Sequence, residues 1–352
     1  MSKKYLIVGG GIAGLSVSWQ LQKQGISFQL IDQGINNSSS KIAAGMFNPV
    51  SGKRMTVSAE AHHMLASLDE MMQEMEALLQ KKLYVKAPIL QAFGNVKEAN
   101  DFSAHLDRPS FATFVDANPS IDCQLEKEFG YFQVNESGWV KTVEWIEAYQ
   151  NYLEAEGKFT RALIGYDGLK EQDGKWTYAN ENYEGIIFCE GSLFSLNPYF
   201  HWLPFKLCKG QVLLIHCPGL DPSYILKRGV YLVHQYEDVY KVGATYEWEF
   251  ENALPTADGL NQLLEKLKQM ISLPFEVLDH YAGIRPTTRD RGAILGEHPE
   301  KKNLFVFNGL GTKGMLQAPL LAKNFVAFLQ EGTAIPKQVS VQRFLSFYSN
   351  GQ

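Results

Sequence analysis

The beginning of the chain constrains its fold most. Tyr5 to Val8 are four consecutive apolar residues, and they run directly into Gly9-Gly10-Gly11-Ile12-Ala13-Gly14. A short unbroken apolar run is the pattern of a parallel strand covered on both faces. Leu15 to Lys23 then reads as a helix, with Leu15, Trp19 and Leu21 as packing residues. Gly25 stops it, and Phe28 to Ile31 form a second strand ending at Asp32. In this strand–turn–helix–strand unit, Gly9 permits the tight turn, Gly11 lets a pyrophosphate approach the backbone, and Gly14 lets helix and strand pack closely. The helix N-terminus offers unpaired N–H groups to phosphate. Asp32 lies 18 residues after Gly14, where a carboxylate takes a ribose, and Gln33 follows it. The pattern predicts a dinucleotide site built from Gly9, Gly11, Ile12, Ala13, Gly14, Asp32 and Gln33. It does not separate a nicotinamide from a flavin cofactor.

The 352 residues suggest about two domains. With 45% hydrophobic and 20% charged residues the chain can bury a core, so disorder is not expected. Acidic residues exceed basic ones, 38 to 33, and the net charge of −5 provides no global field for nucleic acid or an anionic membrane. No apolar run approaches the ~20 residues that cross a bilayer. The run after Lys3-Lys4 breaks after four residues, far short of the ~7–15 of an export core. Four cysteines without a CxxC pair argue against a disulfide scaffold or a zinc ribbon. A cytoplasmic protein is expected.

Further along, Asn36 to Ser40 form a polar loop, followed by Ala43-Ala44-Gly45-Met46. Small residues there admit a flat ligand and Ser40 can cap a phosphate, although the stretch also reads as an ordinary surface loop. Residues 58–81 and Val143 to Ala155 have helical spacing, and Glu184 to Gly191 read as a strand ending in glycine. Gln211 to His216, Gly229 to His234 and Val239 to Ala244 predict three successive antiparallel strands. A helix over 258–272 follows, then Gly283-Ile284-Arg285-Pro286, a strand Leu304 to Phe307, the loop Gly309 to Gly314, and a closing helix Gln317 to Leu329. The expected fold class is α/β: a Rossmann-like nucleotide domain, discontinuous in sequence, with an inserted, mainly antiparallel-sheet (α+β) substrate domain. The nucleotide domain is expected over 1–85, 138–205 and 283–352, and the substrate domain over 86–137 and 206–282.

Taken in order, Val8 to Gly14, Ala43-Ala44-Gly45-Met46, the strand ending at Gly191, Lys209-Gly210-Gln211, Gly243-Ala244-Thr245, Gly283 to Pro286 and Gly309 to Gly314 resemble the D-amino-acid oxidase-like family of FAD enzymes, which includes glycine oxidase and monomeric sarcosine oxidase. The ending Gly309 to Pro319 is also similar to the FAD domain of the bifunctional tRNA wobble-uridine modification enzyme. The resemblance implies FAD contacts from Ser40, Ala43, Ala44, Gly45, Met46, Gly191, Arg285, Gly309, Leu310, Gly311, Thr312, Lys313 and Gly314. It implies oxidation of a C–N bond by hydride transfer to flavin N5, with O2 as acceptor. By the same resemblance Tyr231 and Arg285 hold a substrate carboxylate, which suits a bidentate guanidinium and a directional phenol. Lys313 falls where a cation would stabilise charge on reduced flavin. On the residues alone, Arg285 also reads as a structural arginine paired with a glutamate, and Lys313 as a solvated loop lysine.

Departures from the family pattern touch the substrate more than the cofactor. Thr312 stands where glycine oxidases carry a second arginine, Leu310 replaces a histidine, and His234-Gln235 replaces a proline-led pair. Gly283 and Ile284 stand where covalently flavinylated relatives have cysteine, so noncovalent FAD is expected. Adjacent His62 and His63 diverge by about 100° on a helix and cannot chelate from one face. Arg289-Asp290-Arg291 reads as a salt-bridged turn, and Lys53-Arg54 as an exposed basic pair. Three functions follow: oxidation of a small amine or amino acid, oxidation of a carboxymethylamino group on tRNA, or flavin binding without turnover. The acidic balance favours the small molecule over tRNA as partner.

Overall fold

The structure is a computed structural model that describes residues 3–52, 55–172 and 174–349. The Lys53-Arg54 pair lies outside the described residues. In chain order the main elements are β1 (Lys4–Val8), α1 (Ile12–Lys23), β2 (Ser27–Asp32), α2 (Ala61–Leu79), β3 (Ile89–Ala92), α3 (Val96–Ser103), β4 (Val115–Asp116) and β5 (Tyr131–Val134). They continue with α4 (Thr142–Ala155), β6 (Phe159–Arg161), β7 (Gly185–Phe188), β8 (Cys208–His216), β9 (Ile225–Arg228), β10 (Val230–Tyr236) and β11 (Val239–Gly243). The last are α5 (Ala257–Met270), β12 (Glu276–Arg285), β13 (Ile294–Glu297), β14 (Leu304–Asn308) and α6 (Gly314–Glu331).

The chain forms two compact units, one of residues 1–41, 143–208 and 284–352, the other of 42–142 and 209–283. Both units are discontinuous in sequence, and their boundaries differ from the expected ones. Residues 42–85 and 138–142 belong to the second unit. Contacts with the rest of that unit hold them there: Lys241 Nζ donates to the Ala43 carbonyl at 3.2 Å, and Gly138 pairs with Lys86.

The first unit is built on a six-stranded sheet in the order β6-β2-β1-β7-β14-β13. Its pairings are parallel apart from β13, which runs antiparallel to β14. Leu6 and Ile7 of β1 are fully buried, as a two-sided parallel sheet requires. Helix α1 packs against α6 and is buried from Ile12 through Leu21 except at Ala13. Its inward serines are satisfied locally, Ser16 Oγ donating to the Ile12 carbonyl at 2.8 Å and Ser18 Oγ to that of Leu15 at 2.9 Å. The helix starts at Ile12 rather than Leu15 because the end of the glycine turn is already helical. Likewise α6 begins at Gly314, three residues before the expected Gln317.

The second unit carries an eight-stranded sheet in the order β12-β8-β11-β10-β9-β3-β5-β4. The three expected strands are its central β8, β10 and β11, paired antiparallel. Helix α5 closes one face: Leu263, Leu267 and Met270 pack with Leu213, Leu226, Leu232 and Val242. Among the described residues no helix is long and apolar enough to cross a membrane.

Candidate functional site

The turn between β1 and α1 has almost no room for side chains. Gly9 adopts φ +105°, its N–H donates to the Ile31 carbonyl at 2.8 Å, and a Cβ there would run into the Cys189 carbonyl. A Cβ on Gly14 would overlap the carbonyl oxygen of Gly9, and one on Gly11 would stand 2.8 Å from Ser40 Oγ. Gly10 is crowded by side chains, with Gln150 Nε2 at 2.9 Å and Asp32 Cβ at 3.0 Å from where its Cβ would be. Ser40 Oγ accepts the Ile12 N–H at 3.1 Å, which brings that hydroxyl to the helix N-terminus. One Asp32 oxygen accepts the Gly10 N–H at 2.6 Å and the other accepts the Gly34 N–H at 2.7 Å. That fixes the carboxylate while leaving it further lone pairs. Gln33 is exposed beside it.

Gly9, Gly11, Ile12, Ala13, Gly14, Asp32 and Ser40 are therefore brought together in the first unit. Bare backbone at a helix N-terminus beside an anchored carboxylate fits the pyrophosphate and ribose of a dinucleotide. The sequence reading missed Gln150, a buried residue of α4 whose Nε2 donates to the Gly10 carbonyl at 2.9 Å. Nothing in its helical spacing marks it out.

Gly191 and Gly309 to Gly314 lie in the same unit. Gly191 (φ +58°) has no heavy atom within 4 Å of where a Cβ would stand, and its carbonyl accepts Asn308 Nδ2 at 3.0 Å. Gly311 (φ +56°) is similarly open, the nearest atom being Thr287 Oγ1 at 3.9 Å. Gly309 (φ +75°) is held more closely, with Thr288 Cγ2 at 2.9 Å. Leu310 is buried, whereas Thr312 and Lys313 are on the surface, where partial desolvation lowers the Lys313 ammonium from its ordinary pKa. Arg285 ends β12 and its Nη1 donates to Cys208 Sγ at 3.6 Å. Glu190, between Cys189 and Gly191, accepts from the Tyr166 hydroxyl and from Asn197 Nδ2 at 2.7 Å. Burial pushes its carboxyl up to about 7.

In the second unit, the Ala43 carbonyl accepts from Thr142 Oγ1 and from Lys241 Nζ, each at 3.2 Å. Lys241 is buried, which brings its pKa down to about 8. Ala44 is buried and Met46 pairs with Trp139. Gly45 (φ +69°) is glycine because a Cβ would overlap the Val140 carbonyl, so a neighbouring strand already accounts for a residue expected to make room for ligand. Tyr231 lies across Gly243, its Oη 2.6 Å from where a Cβ would stand.

The remaining candidates have structural roles. The Asp290 carboxylate is bound by Arg343 Nε at 2.8 Å, so the turn is tied to a distant arginine. The expected salt-bridged turn is present, with Arg343 as the partner of Asp290. The His62 ring packs on Phe114 and His63 Nδ1 lies 3.0 Å from a Glu60 oxygen. No metal-binding group of His, Cys, Asp and Glu occurs among the described residues. A cleft of about 470 Å³ edged by Tyr199, Trp202, His298 and Tyr348, and another of about 320 Å³ beside Lys209 and Glu247, contain none of the predicted residues.

The chain is similar to known proteins. Residues 4–327 match the DAO family, described as FAD dependent oxidoreductase. The chain is 30% identical over 162 residues to the tRNA 5-methylaminomethyl-2-thiouridine biosynthesis bifunctional protein of Idiomarina loihiensis, a match over 43% of this chain and 26% of that protein. It is 31% identical over 116 residues to glycine oxidase of Geobacillus kaustophilus, over 32% of this chain and 31% of the relative. These matches thus span less than a third of either relative. The crystal structure of glycine oxidase from Geobacillus kaustophilus shares the fold, with a TM-score of 0.77 at 20% identity over 95% of this chain and 96% of that one.

Proposed function

The chain belongs to the DAO family of FAD-dependent oxidoreductases, and we propose that within it this protein oxidises the C–N bond of a small amine or amino acid, with O2 as acceptor. Bound noncovalently, FAD supplies the two-electron acceptance. The turn Gly9 to Gly14 would hold its pyrophosphate and Asp32 its ribose, in keeping with the overlaps at Gly9 and Gly14 and the anchored Asp32 carboxylate.

The substrate reading is carried by Arg285. Its guanidinium stands at the end of β12 with Nη1 donating to Cys208 Sγ, and a planar guanidinium of this kind suits bidentate recognition of a carboxylate. Tyr231, in the second unit, is assigned a hydroxyl contact to the same class of group. An amine that reaches the site neutral needs no side-chain base, so these residues orient substrate and exclude water. Lys313, ahead of α6, adds positive field.

Anaerobic addition of amines and amino acids tests the reading through loss of flavin absorbance near about 450 nm. Bleaching by a small amine is expected. Arg285→Met is expected to keep FAD and to lower kcat/KM by roughly 10²–10⁴; unchanged kinetics would remove Arg285 from the site.

The relative from Idiomarina loihiensis favours a second reading, oxidation of a glycine-like amine on tRNA. The net charge of −5 weighs against it. Bleaching by undermodified tRNA and by none of a small-amine panel would put that reading first.

A further inference from the structure

The two faces of the eight-stranded sheet differ in chemistry. The face against α5 is apolar. On the opposite face the register aligns one row across five strands: Phe132 pairs with Gln91, Gln91 with Lys227, Lys227 with Tyr231, and Tyr231 with Gly243. Directly paired residues project to the same side of a sheet, about 5 Å apart. Gln91, Lys227 and Tyr231 therefore stand side by side. An aromatic cluster ends the row, with Phe132 stacked on Phe93 and Phe102. At the other end Gly243 leaves room for the Tyr231 phenol.

Gln91 and Lys227 are half-buried, and among the described residues neither side chain has a hydrogen-bond or ion-pair partner. Burial draws the Lys227 pKa down to about 8, so no neighbouring anion offsets its desolvation. An ammonium kept on a half-buried face without a counter-charge costs free energy that a ligand's anion would recover. Lys241, on the same face, differs because its ammonium has the Ala43 carbonyl. Lys227 lies one strand beyond Tyr231 and Gln91 two strands beyond, roughly 5 and 10 Å away. They define a second contact point, separate from the carboxylate assigned to Tyr231.

We infer that Gln91 and Lys227 recognise a second acidic group on the substrate, so that the preferred substrate is an amine carrying two carboxylates. This rests on the proposed amine oxidation and names its substrate class.

Two measurements on the FAD-loaded protein separate the two ideas. Calorimetry with unreactive acids is expected to show malonate or succinate binding at least tenfold tighter than acetate, with the preference lost in Lys227→Met and Lys227→Gln. The exposed α5 variant Lys268→Met is expected to retain it. Equal binding of mono- and dicarboxylates, or a preference that survives both Lys227 variants with stoichiometric FAD, overturns the inference.

The second measurement compares kcat/KM for iminodiacetate and aspartate with that for glycine and N-methylglycine. The diacids are expected to lead by tenfold or more, and Lys227→Met to collapse that ratio, mainly through KM. A lead for the monoacids overturns the inference while leaving amine oxidation standing. Tight dicarboxylate binding without bleaching by any amine supports the anion row and refutes amine oxidation.

Discussion

Two glycine-rich loops precede helices in the first unit, and their glycines are needed for different reasons. In Gly9 to Gly14 the protein itself crowds the missing side chains: the carbonyls of Cys189 and Gly9 lie where Cβ atoms would be at Gly9 and Gly14. In Gly309 to Gly314 the atoms nearest to a Cβ are 3.9 Å away at Gly311 and 3.4 Å away at Gly314. The first loop is a packing device, and its bare backbone is the surface proposed to meet phosphate. In the second, Gly309 and Gly311 are left-handed, and the surroundings of Gly311 and Gly314 remain open.

The largest effect is therefore expected at Gly14. Gly14→Ala must separate α1 from the turn and is expected to destabilise the protein by about 3 kcal/mol or more, read as a fall in denaturant midpoint. A loss below about 1 kcal/mol would show that the turn yields and would break the contrast. A Cβ at Gly11 would meet only Ser40 within the protein, so the cost of Gly11→Val is expected in cofactor affinity. Roughly 10²-fold weaker FAD binding, or about 2.7 kcal/mol, should be visible as substoichiometric flavin after dialysis. Full flavin content would take this loop out of the site.

Glu190 sharpens the comparison through pH, because its backbone nitrogen is among the atoms that crowd Gly9. Its folded pKa is raised from 4.5 to about 7, so the folded state holds the proton more tightly. The contribution is fully present below about 4.5, declines as pH rises, and is gone above about 7. The shift bounds it at about 3 kcal/mol, and residual solvent contact reduces that to about 2 kcal/mol. Glu190→Gln is expected to flatten stability between pH 5 and 7; an unchanged slope would assign the pH dependence elsewhere. The smallest effect belongs to Gly311→Ala, about 1 kcal/mol for a left-handed alanine with space around it. A loss as large as that of Gly14→Ala would erase the distinction between the loops.

Local pattern determined much of this protein. The order of β1, the glycine turn, α1, β2 and Asp32 was legible because each element is specified by residues close in sequence. The central strands β8, β10 and β11 were legible for the same reason, and so was the family. Ranges 42–85 and 138–142 fall in the other unit because unit membership depends on contacts such as that of Ala43 with Lys241, 198 residues away, which no periodicity reports. Gln150 and the Asp290–Arg343 pair escaped for that reason too. Only the tertiary structure showed that side chains crowd Gly10, and that Gly45 answers to a neighbouring strand. Register made the further decision. Gln91, Lys227 and Tyr231 come from three strands, and sheet pairing, which alternation within one strand cannot reveal, brings them into one row.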